Sequence, residues 1–238
     1  MSLLIENRGA VRILTLNRPE KRNALNTELT RALLEALRGA DGDESVGALL
    51  LTGAGPGFCA GADLAEFKQL SDPKAAQARA QLTMDLHLSF SRMSKPVVTA
   101  INGAAMGGGA GLAIAGDLAV MAEGAKIGYP ETKHGIVAAI VLANLVRQAG
   151  LKAAFELVAL GEPIDAARAL ALGMVNRVCP GSSLMEQAML FAQALASVSR
   201  PAMAATKRLF YQAADLSLAE ALEAARDVNR RMRSFAKK

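Results

Sequence analysis

Three short, largely apolar segments most strongly limit the folds open to this chain. They cover residues 46–51, 96–101 and 117–122, and each lies between glycine, proline or polar turn signals. Short aliphatic runs of this kind are typical of strands that are buried on both faces. Between the first two, residues 26–38 carry an apolar stripe at helical spacing that begins after Asn26, a good N-cap residue. This alternation predicts an α/β core of stacked ββα-like units.

The ends of the chain follow different patterns. Residues 3–6 and 11–16 read as two strands joined by a turn at Asn7-Arg8-Gly9, which predicts a β-hairpin with both faces largely covered. From Ala138 onward helical periodicity dominates, so a helical segment should follow the core. The predicted helices are 138–149, 151–160, 165–172, 183–198, 201–214 and 217–234.

Composition narrows the class of protein. Of the 238 residues, 52% are hydrophobic and 21% are charged, which fits a globular domain and excludes a disordered tail or a coiled coil. The longest candidate for a membrane span, residues 103–116, stops at Asp117 and consists mainly of glycine and alanine, so we expect no membrane partner. The N-terminus lacks a basic leader, and Cys59 and Cys179 are too few for a disulfide framework; a cytoplasmic location is the expectation.

The charge balance leaves several partners open. There are 27 basic and 22 acidic residues, a net charge of +5. This excess suits a nucleotide-bearing small molecule or a nucleic acid, or it only keeps the protein soluble. Aromatic residues make up 4% of the chain, which disfavours nucleic acid because single-stranded bases stack on aromatic side chains. The sequence contains no group of residues with metal-ligand spacing, so we expect no metal.

Two loops of small residues follow predicted strands, at 58–64 and 102–109. Small residues let a ligand approach the backbone, and amides at a helix start point outward. If the loops lie side by side, two N–H groups can point at one oxygen and form an oxyanion hole. The alternative is that the glycines only permit tight packing of a helix on a strand. Neither loop is a phosphate-binding loop, because no Gly-Lys-Ser or Gly-Lys-Thr follows. The dinucleotide fingerprint is also absent, because its spacing requires glycine at position 112, which is Leu.

A series of short motifs runs along nearly the whole chain. They are Leu16-Asn17-Arg18-Pro19, Asn23-Ala24-Leu25, Val46-Gly47-Ala48, Leu51-Thr52-Gly53, Phe58-Cys59-Ala60-Gly61-Ala62-Asp63-Leu64, Lys95-Pro96-Val97-Val98, Asn102-Gly103, Gly107-Gly108-Gly109, Pro130-Glu131 and Ala171-Leu172-Gly173-Met174-Val175-Asn176. In the order and spacing of these motifs, the chain resembles the enoyl-CoA hydratase/isomerase (crotonase) family. The resemblance implies a crotonase-like spiral of ββα units over residues 1–180, with a C-terminal helical trimerisation segment over 181–238. It implies an acyl-CoA substrate, no cofactor other than coenzyme A as part of that substrate, and a homotrimer or hexamer.

The resemblance also implies site residues. The oxyanion-hole amides match the N–H groups of Ala62 and Gly108, which would hold the thioester carbonyl. The basic pair Lys21-Arg22 suits the phosphates of CoA, although an ordinary solvated turn explains it equally well. The residues expected to bind CoA or the acyl group are Lys21, Arg22, Ala24, Ala60, Asp63, Leu64 and Gly107.

One departure from the family pattern bears on the reaction. Hydratases of the family use two glutamates, and here those positions hold Gly111 and Glu131. Hydration needs two carboxylates to hold and deprotonate water, whereas moving a double bond through an enolate needs one acid/base. The family's Δ3-Δ2-enoyl-CoA isomerases keep a single glutamate at the position of Glu131. The sequence therefore favours an isomerase, and we expect Glu131 to be the acid/base in an apolar pocket. Taken alone, Glu131 reads more readily as a surface carboxylate in a turn after Pro130, and it is the surrounding pattern that favours a role in the site.

Other functions remain open at this point. They are enoyl-CoA hydration, thioester hydrolysis, and acyl-CoA or RNA binding without catalysis. Among other reactive groups, His87 is predicted to be a partly exposed packing residue, Asp63 a turn or helix-cap residue, and Cys59 not a nucleophile. His134 is the further candidate to line the pocket. Lys237 and Lys238 are candidates to replace a basic CoA-contacting segment with which the family normally ends.

Overall fold

The computed structural model describes residues 1–69 and 71–232. The proposed role of Lys237 and Lys238 concerns residues outside this range. The strands are β1 (Leu3–Arg8), β2 (Val11–Leu16), β3 (Ala48–Gly53), β4 (Val97–Ile101), β5 (Ala105–Met106), β6 (Leu118–Ala122), β7 (Lys126–Gly128), β8 (Ile164–Asp165) and β9 (Arg177–Cys179). The helices are α1 (Thr27–Gly42), α2 (Leu64–Gln69), α3 (Pro73–Arg92), α4 (Gly108–Ala113), α5 (Ala139–Leu160), α6 (Ala166–Ala171), α7 (Leu184–Ala196), α8 (Arg200–Ala213) and α9 (Leu218–Met232).

A six-stranded sheet in the order β1-β2-β3-β4-β6-β9 forms the centre of the core. Strands β2 to β9 of this sheet pair in parallel, and β1 pairs antiparallel with β2. All six residues of β3 and all five of β4 are buried, as their unbroken apolar runs predict. The expectation of a hairpin with both faces largely covered is wrong for β1, where only Leu3 is buried, because β1 lies at the edge of the sheet.

The predicted helix after Asn26 is present as α1. The Asn26 side chain accepts a hydrogen bond from the Leu29 N–H at 2.9 Å and caps the helix. The stripe that contains Leu29, Leu33 and Leu37 is buried. This face packs against α3, so α1 and α3 together cover one region of the core.

A second sheet in the order β5-β7-β8 is built from strands of two or three residues. It is extended by an isolated bridge between Cys59 and Ala105, and a second bridge joins Leu25 to Ala62. These pairings hold the loop at 58–64 between the strand end at Ala105 and the segment at 21–25. The small sheet therefore positions the two loops that the sequence singles out.

The C-terminal helices contact the core in different ways. The helix α7 packs on β3, β4 and β6, whereas α8 and α9 pack mainly on each other. The buried Lys207 anchors α8, since its ammonium donates to Asp117 at 2.7 Å and to the Lys95 carbonyl at 2.8 Å. The helix α5 is broken at Gly150, where φ is 75° and ψ is 167°. Within the described ranges, no helix has the length and apolar character to cross a bilayer.

Candidate active site

The loops at 58–64 and 107–108 open onto a cavity of about 560 Å³. Its walls come from α2, α3, the segment after Glu131 and the first turn of α5, and they are mostly apolar. The side chains and backbone groups that line it belong to Leu25, Ala62, Asp63, Leu64, Glu66, Phe67, Ala76, Arg79, Ala80, Thr83, Gly108, Glu131, Ile136, Val137, Ala139, Ile140 and Val141.

The structure brings the backbones of Ala62 and Gly108 together on one wall. The nitrogen of Ala62 lies 3.6 Å from the point where a β-carbon on Gly108 would be. Neither of these two N–H groups donates to another residue in the described parts of the chain. Two adjacent N–H groups that face a cavity can stabilise one negatively charged oxygen.

Gly61 makes this approach of the two loops possible. Its φ is +92°, a conformation that disfavours any side chain. A β-carbon there would also lie 2.6 Å from the Met106 carbonyl oxygen and 3.2 Å from the Gly108 nitrogen. The glycine is therefore needed both for its backbone angle and for its lack of volume.

Glu131 lies in a 3₁₀ turn, Pro130–His134, and its carboxylate is half-buried on the wall of the same cavity. One carboxylate oxygen, Oε2, is buried with no hydrogen-bond partner among the described residues. Burial raises the pKa of Glu131 above its usual value of 4.5, because a low-dielectric surrounding disfavours the ionised form. The nearby His134 partly offsets this rise in the pKa. A carboxyl group with a raised pKa exchanges protons more readily near neutral pH.

The other carboxylates of the cavity wall are already bound to donors. Asp63 pairs with Arg18 at 3.0 Å and accepts from the Ala65 and Glu66 N–H groups, as expected for a residue that caps α2. Glu66 accepts from the Thr27 N–H at 2.9 Å and lies 3.6 Å from the Arg79 guanidinium. Among the described carboxylates of this wall, Glu131 is therefore the one without a salt bridge.

The residues expected to bind CoA divide into three groups. Asp63 and Leu64 lie on the cavity wall. Lys21, Arg22, Ala24 and Ala60 lie outside the wall but next to it, where the Ala60 N–H donates to the Arg22 carbonyl at 2.9 Å. Gly107, with φ +52°, lies against the carboxylate of Glu131, so that a β-carbon there would be 2.9 Å from Oε1.

Asn23 holds the segment at 21–25 in place. It is fully buried and has a left-handed φ of 56°. Its side-chain amide donates to three carbonyls, those of Ala54, Gly57 and Phe58, and its oxygen accepts from the Arg18 N–H. These bonds hold the backbone of the segment that carries the exposed Lys21 and Arg22 against residues 54–58, at the start of the loop at 58–64.

The space next to Gly111 is filled by other side chains. A β-carbon at Gly111 would overlap Cγ1 of Val141 and would lie 2.9 Å from Cε1 of His87. Any side chain at this position therefore meets α5 and α3 at once. The volume that a glutamate would need is occupied by an aliphatic group and an imidazole.

The environments of three other reactive side chains, His87, His134 and Cys59, were only partly expected from the sequence. His87 is buried, not partly exposed as expected, and burial lowers its pKa to about 4. His134 is exposed and does not line the cavity. Burial raises the pKa of the Cys59 thiol to about 12, so it is not a nucleophile at neutral pH.

Sequence reasoning missed the wall formed by α3, where Ala76, Ala80 and Thr83 face the cavity. Their spacing of four and three residues is the only signal that could have found them. No cluster of three or more metal-ligating side chains occurs in residues 1–69 and 71–232.

Comparison with known proteins identifies the family to which the chain belongs. The family described as enoyl-CoA hydratase/isomerase matches residues 6–237. The chain belongs to the enoyl-CoA hydratase/isomerase family, and its fold is the crotonase fold.

Individual relatives differ in the reaction that their names state. A Thermus thermophilus protein named as an enoyl-CoA hydratase is 42% identical over 205 residues, which cover 85% of this chain and 81% of the relative. The crystal structure of a Mycobacterium smegmatis enoyl-CoA hydratase has a TM-score of 0.93 at 32% identity, covering 97% of this chain and 90% of that one. A monofunctional enoyl-CoA isomerase from the same organism has a TM-score of 0.80 at 32% identity, covering 93% and 98%.

Proposed function

We propose that the protein is an enoyl-CoA isomerase that moves a double bond from position 3 to position 2 of an acyl-CoA. Glu131 takes a proton from C2, and the thioester carbonyl becomes an enolate oxygen held by the N–H groups of Ala62 and Gly108. The same carboxyl group then delivers the proton to C4. The electron pair of the broken C2–H bond becomes the new C2=C3 double bond, and the pair of the former C3=C4 double bond forms the new C4–H bond. The reaction therefore needs no co-reactant.

The observation that carries the proposal is the filled space at Gly111. A glutamate at position 111 would supply a second carboxylate, but its β-carbon would already overlap Val141. The remaining carboxylates of the wall, Asp63 and Glu66, are held by donors. Glu131 is thus the group suited to proton transfer, and one such group is sufficient for an isomerase.

The basic residues beside the cavity supply a site for the nucleotide end of CoA. Lys21 and Arg22 are exposed at the end of the segment that Asn23 ties to the loop at 58–64. Their charges suit the phosphate groups of CoA, and the apolar walls suit the acyl chain. The acyl-CoA is the only small-molecule partner that the proposal requires, and no further cofactor takes part.

Replacement of Glu131 by glutamine tests the role of the carboxylate. The variant keeps the shape of the side chain but cannot exchange a proton, so kcat for a 3-enoyl-CoA should fall by about 10²- to 10⁴-fold. Binding of a saturated acyl-CoA should persist. The matched control is Glu35→Gln, which removes a carboxylate from the exposed face of α1. Full activity of Glu131→Gln would exclude Glu131 from the mechanism.

Hydration is the second candidate, because relatives such as the Thermus and Rhizobium meliloti proteins carry hydratase names. It requires another group to replace the second carboxylate. Purified protein should be assayed side by side with a 3-enoyl-CoA and with crotonyl-CoA. Isomerisation faster than hydration supports the proposal, whereas faster hydration of crotonyl-CoA reverses the order of the two candidates.

A further inference from the structure

A second, smaller cleft lies next to the main cavity. It has a volume of about 140 Å³, and we call it the His87 cleft after one of the residues that line it. Of the eleven described residues that line this cleft, five carry a nitrogen or oxygen in the side chain, compared with five of seventeen in the main cavity. The five polar side chains of the cleft are His87, Ser91, Asn144, Gln148 and Tyr211.

His87 is the unusual member of this group. It is 8% exposed, and neither ring nitrogen has a hydrogen-bond partner within the described part of the chain. A buried imidazole without partners is costly, because its N–H and its lone pair both lose water. Ser91, Gln148 and Tyr211, by contrast, each donate to a protein oxygen.

The His87 cleft continues the wall of the main cavity. Ala76, Ala80 and Thr83 line the main cavity, and His87 follows Thr83 at helical spacing on the same face of α3. Ile140 lines both spaces. One side chain at the start of α5 therefore lies at the boundary between the proposed acyl site and the imidazole.

The chemistry of the imidazole restricts what it can recognise. Burial favours the neutral ring, and a neutral ring offers one donor and one acceptor. A hydroxyl group also offers one donor and one acceptor, so a single hydroxyl can pair with either nitrogen. A carboxylate accepts only, and in this setting it would be a buried charge with no cation opposite it.

We propose that the His87 cleft is the distal part of the acyl site, and that it binds acyl chains carrying a hydroxyl group beyond the reacting carbons. His87 forms the hydrogen bond to this hydroxyl; because both ring nitrogens are enclosed in the structure, the imidazole and Ile140 turn to admit the chain. The inference rests on the proposed function only in placing the acyl chain of a CoA thioester in the main cavity. It names a substrate class, hydroxylated enoyl-CoA thioesters, and a specificity residue, His87.

Binding of unreactive ligands tests the inference independently of turnover. Saturated acyl-CoA thioesters of six, eight and ten carbons, each with and without a terminal hydroxyl, are titrated into the full chain by calorimetry. At the chain length that reaches His87, the hydroxylated thioester should bind about 3- to 10-fold more tightly than its alkyl counterpart, the usual gain from one hydrogen bond. Equal or weaker binding of the hydroxylated thioester at every length overturns the inference.

Two variants test whether the preference for hydroxylated thioesters depends on His87 and on the position of Ile140. In His87→Leu the ratio of the two dissociation constants should fall to about one or reverse, because a leucine offers no hydrogen bond to the hydroxyl. In Ile140→Phe the ratio should also fall, since a larger side chain closes the passage while leaving His87 in place. The matched control is Gln81→Leu on the exposed face of α3, which should keep the original ratio. A hydroxyl preference that survives His87→Leu overturns the inference.

The same measurements separate this inference from the proposed function. If Glu131→Gln remains active while the hydroxyl preference depends on His87, the proposed reaction fails and the His87 cleft stands. If the preference is absent while Glu131→Gln is inactive, the reaction stands and the inference fails. If none of the saturated thioesters binds, both fail.

Discussion

Glu131 differs from the other carboxylates of the main cavity in its surroundings. Three carboxylates face the main cavity, but Asp63 and Glu66 are tied to a guanidinium or to backbone N–H groups. Glu131 is half-buried, and one of its oxygens has no partner among the described residues. The differences in hydrogen bonding, not in residue type, single out the candidate acid/base.

The raised pKa of Glu131 predicts the shape of the pH profile. The carboxylate must be ionised to take the first proton, so kcat/KM should fall as the pH drops through its pKa. Because burial raises that pKa, the midpoint of the acidic limb should lie above 4.5. Rates measured from pH 4 to 9 with a 3-enoyl-CoA check this. An acidic limb at or below pH 4.5 would contradict the assignment.

The sequence predicted some of these residues and not others, for physical reasons. Ala62, Gly108 and Glu131 were expected together only because their motifs resemble a family pattern, and they do line one cavity. Nothing in the periodicity of α3 indicated that His87 is buried against Gly111. Such contacts join residues that are distant in the chain, and one sequence contains no signal for them.

At the level of elements, the contact of α4 with α3 and α5 determines which side chains fit at position 111. Gly111→Glu alone should destabilise the protein by roughly 1–3 kcal/mol, because the new side chain overlaps Val141 and meets His87. Urea unfolding measures the change in the free energy of unfolding.

A double substitution tests the cause of this destabilisation. Val141→Ala removes the overlapping methyl groups, so Gly111→Glu/Val141→Ala should be less destabilised than the sum of the two single variants. Strict additivity would show that Val141 is not the obstacle. Hydration of crotonyl-CoA by the double variant, compared with Val141→Ala alone, would show whether a carboxylate regained there is productive.

Long elements were predicted well and short ones poorly. The strands β2, β3, β4 and β6 lie within two residues of the apolar runs that predict them, since each buries both faces. The strands β5, β7, β8 and β9 have two or three residues each, too few for any periodicity. Their existence depends on pairing partners elsewhere in the chain.

At the scale of the whole molecule, the lowered pKa of the buried His87 should make the stability depend on pH. Its pKa is lowered from 6.5 to about 4 in the folded state, so the unfolded chain binds this proton first as the pH falls. The contribution of His87 to stability is therefore complete above pH 6.5 and is lost as the pH falls toward 4. The expected loss is about 2–3 kcal/mol, from 1.36 kcal/mol per pKa unit.

Unfolding measured at pH 7 and pH 4 checks this expectation. The difference in unfolding free energy between the two pH values should shrink by about 2–3 kcal/mol in His87→Leu. Replacement of the exposed His134 by leucine is the matched control for loss of a histidine. An unchanged pH dependence in His87→Leu would show that His87 is not buried neutral in solution.

The exposed apolar side chains suggest that copies of the chain associate, and we propose the homotrimer or hexamer that the family resemblance implies. Leu151 and Phe155 on α5, and Phe210 on α8, are more than two-thirds exposed. Leu151 and Phe155 are four residues apart and therefore lie on one face of α5. A contiguous apolar patch of this kind on a protein surface marks an interaction site.

Size-exclusion chromatography with light scattering tests the assembly. The unaltered chain should elute as a trimer or hexamer, and Phe155→Asp should shift it toward monomer because a buried charge opposes association. The control Leu4→Asp places the same charge on β1, where the leucine is also exposed. A monomer for the unaltered chain at all concentrations would refute the proposal.

The break at Gly150 divides α5 into two halves with different surroundings. The residues before it contribute Ile140 and Val141 to the main cavity, and the residues after it carry Leu151 and Phe155. An unbroken rod of 22 residues would run for about 33 Å along a single axis, so a tilt at one end would move the other. With two axes, substitutions in the exposed half after Gly150 can alter its tilt without moving the residues before the break that line the main cavity.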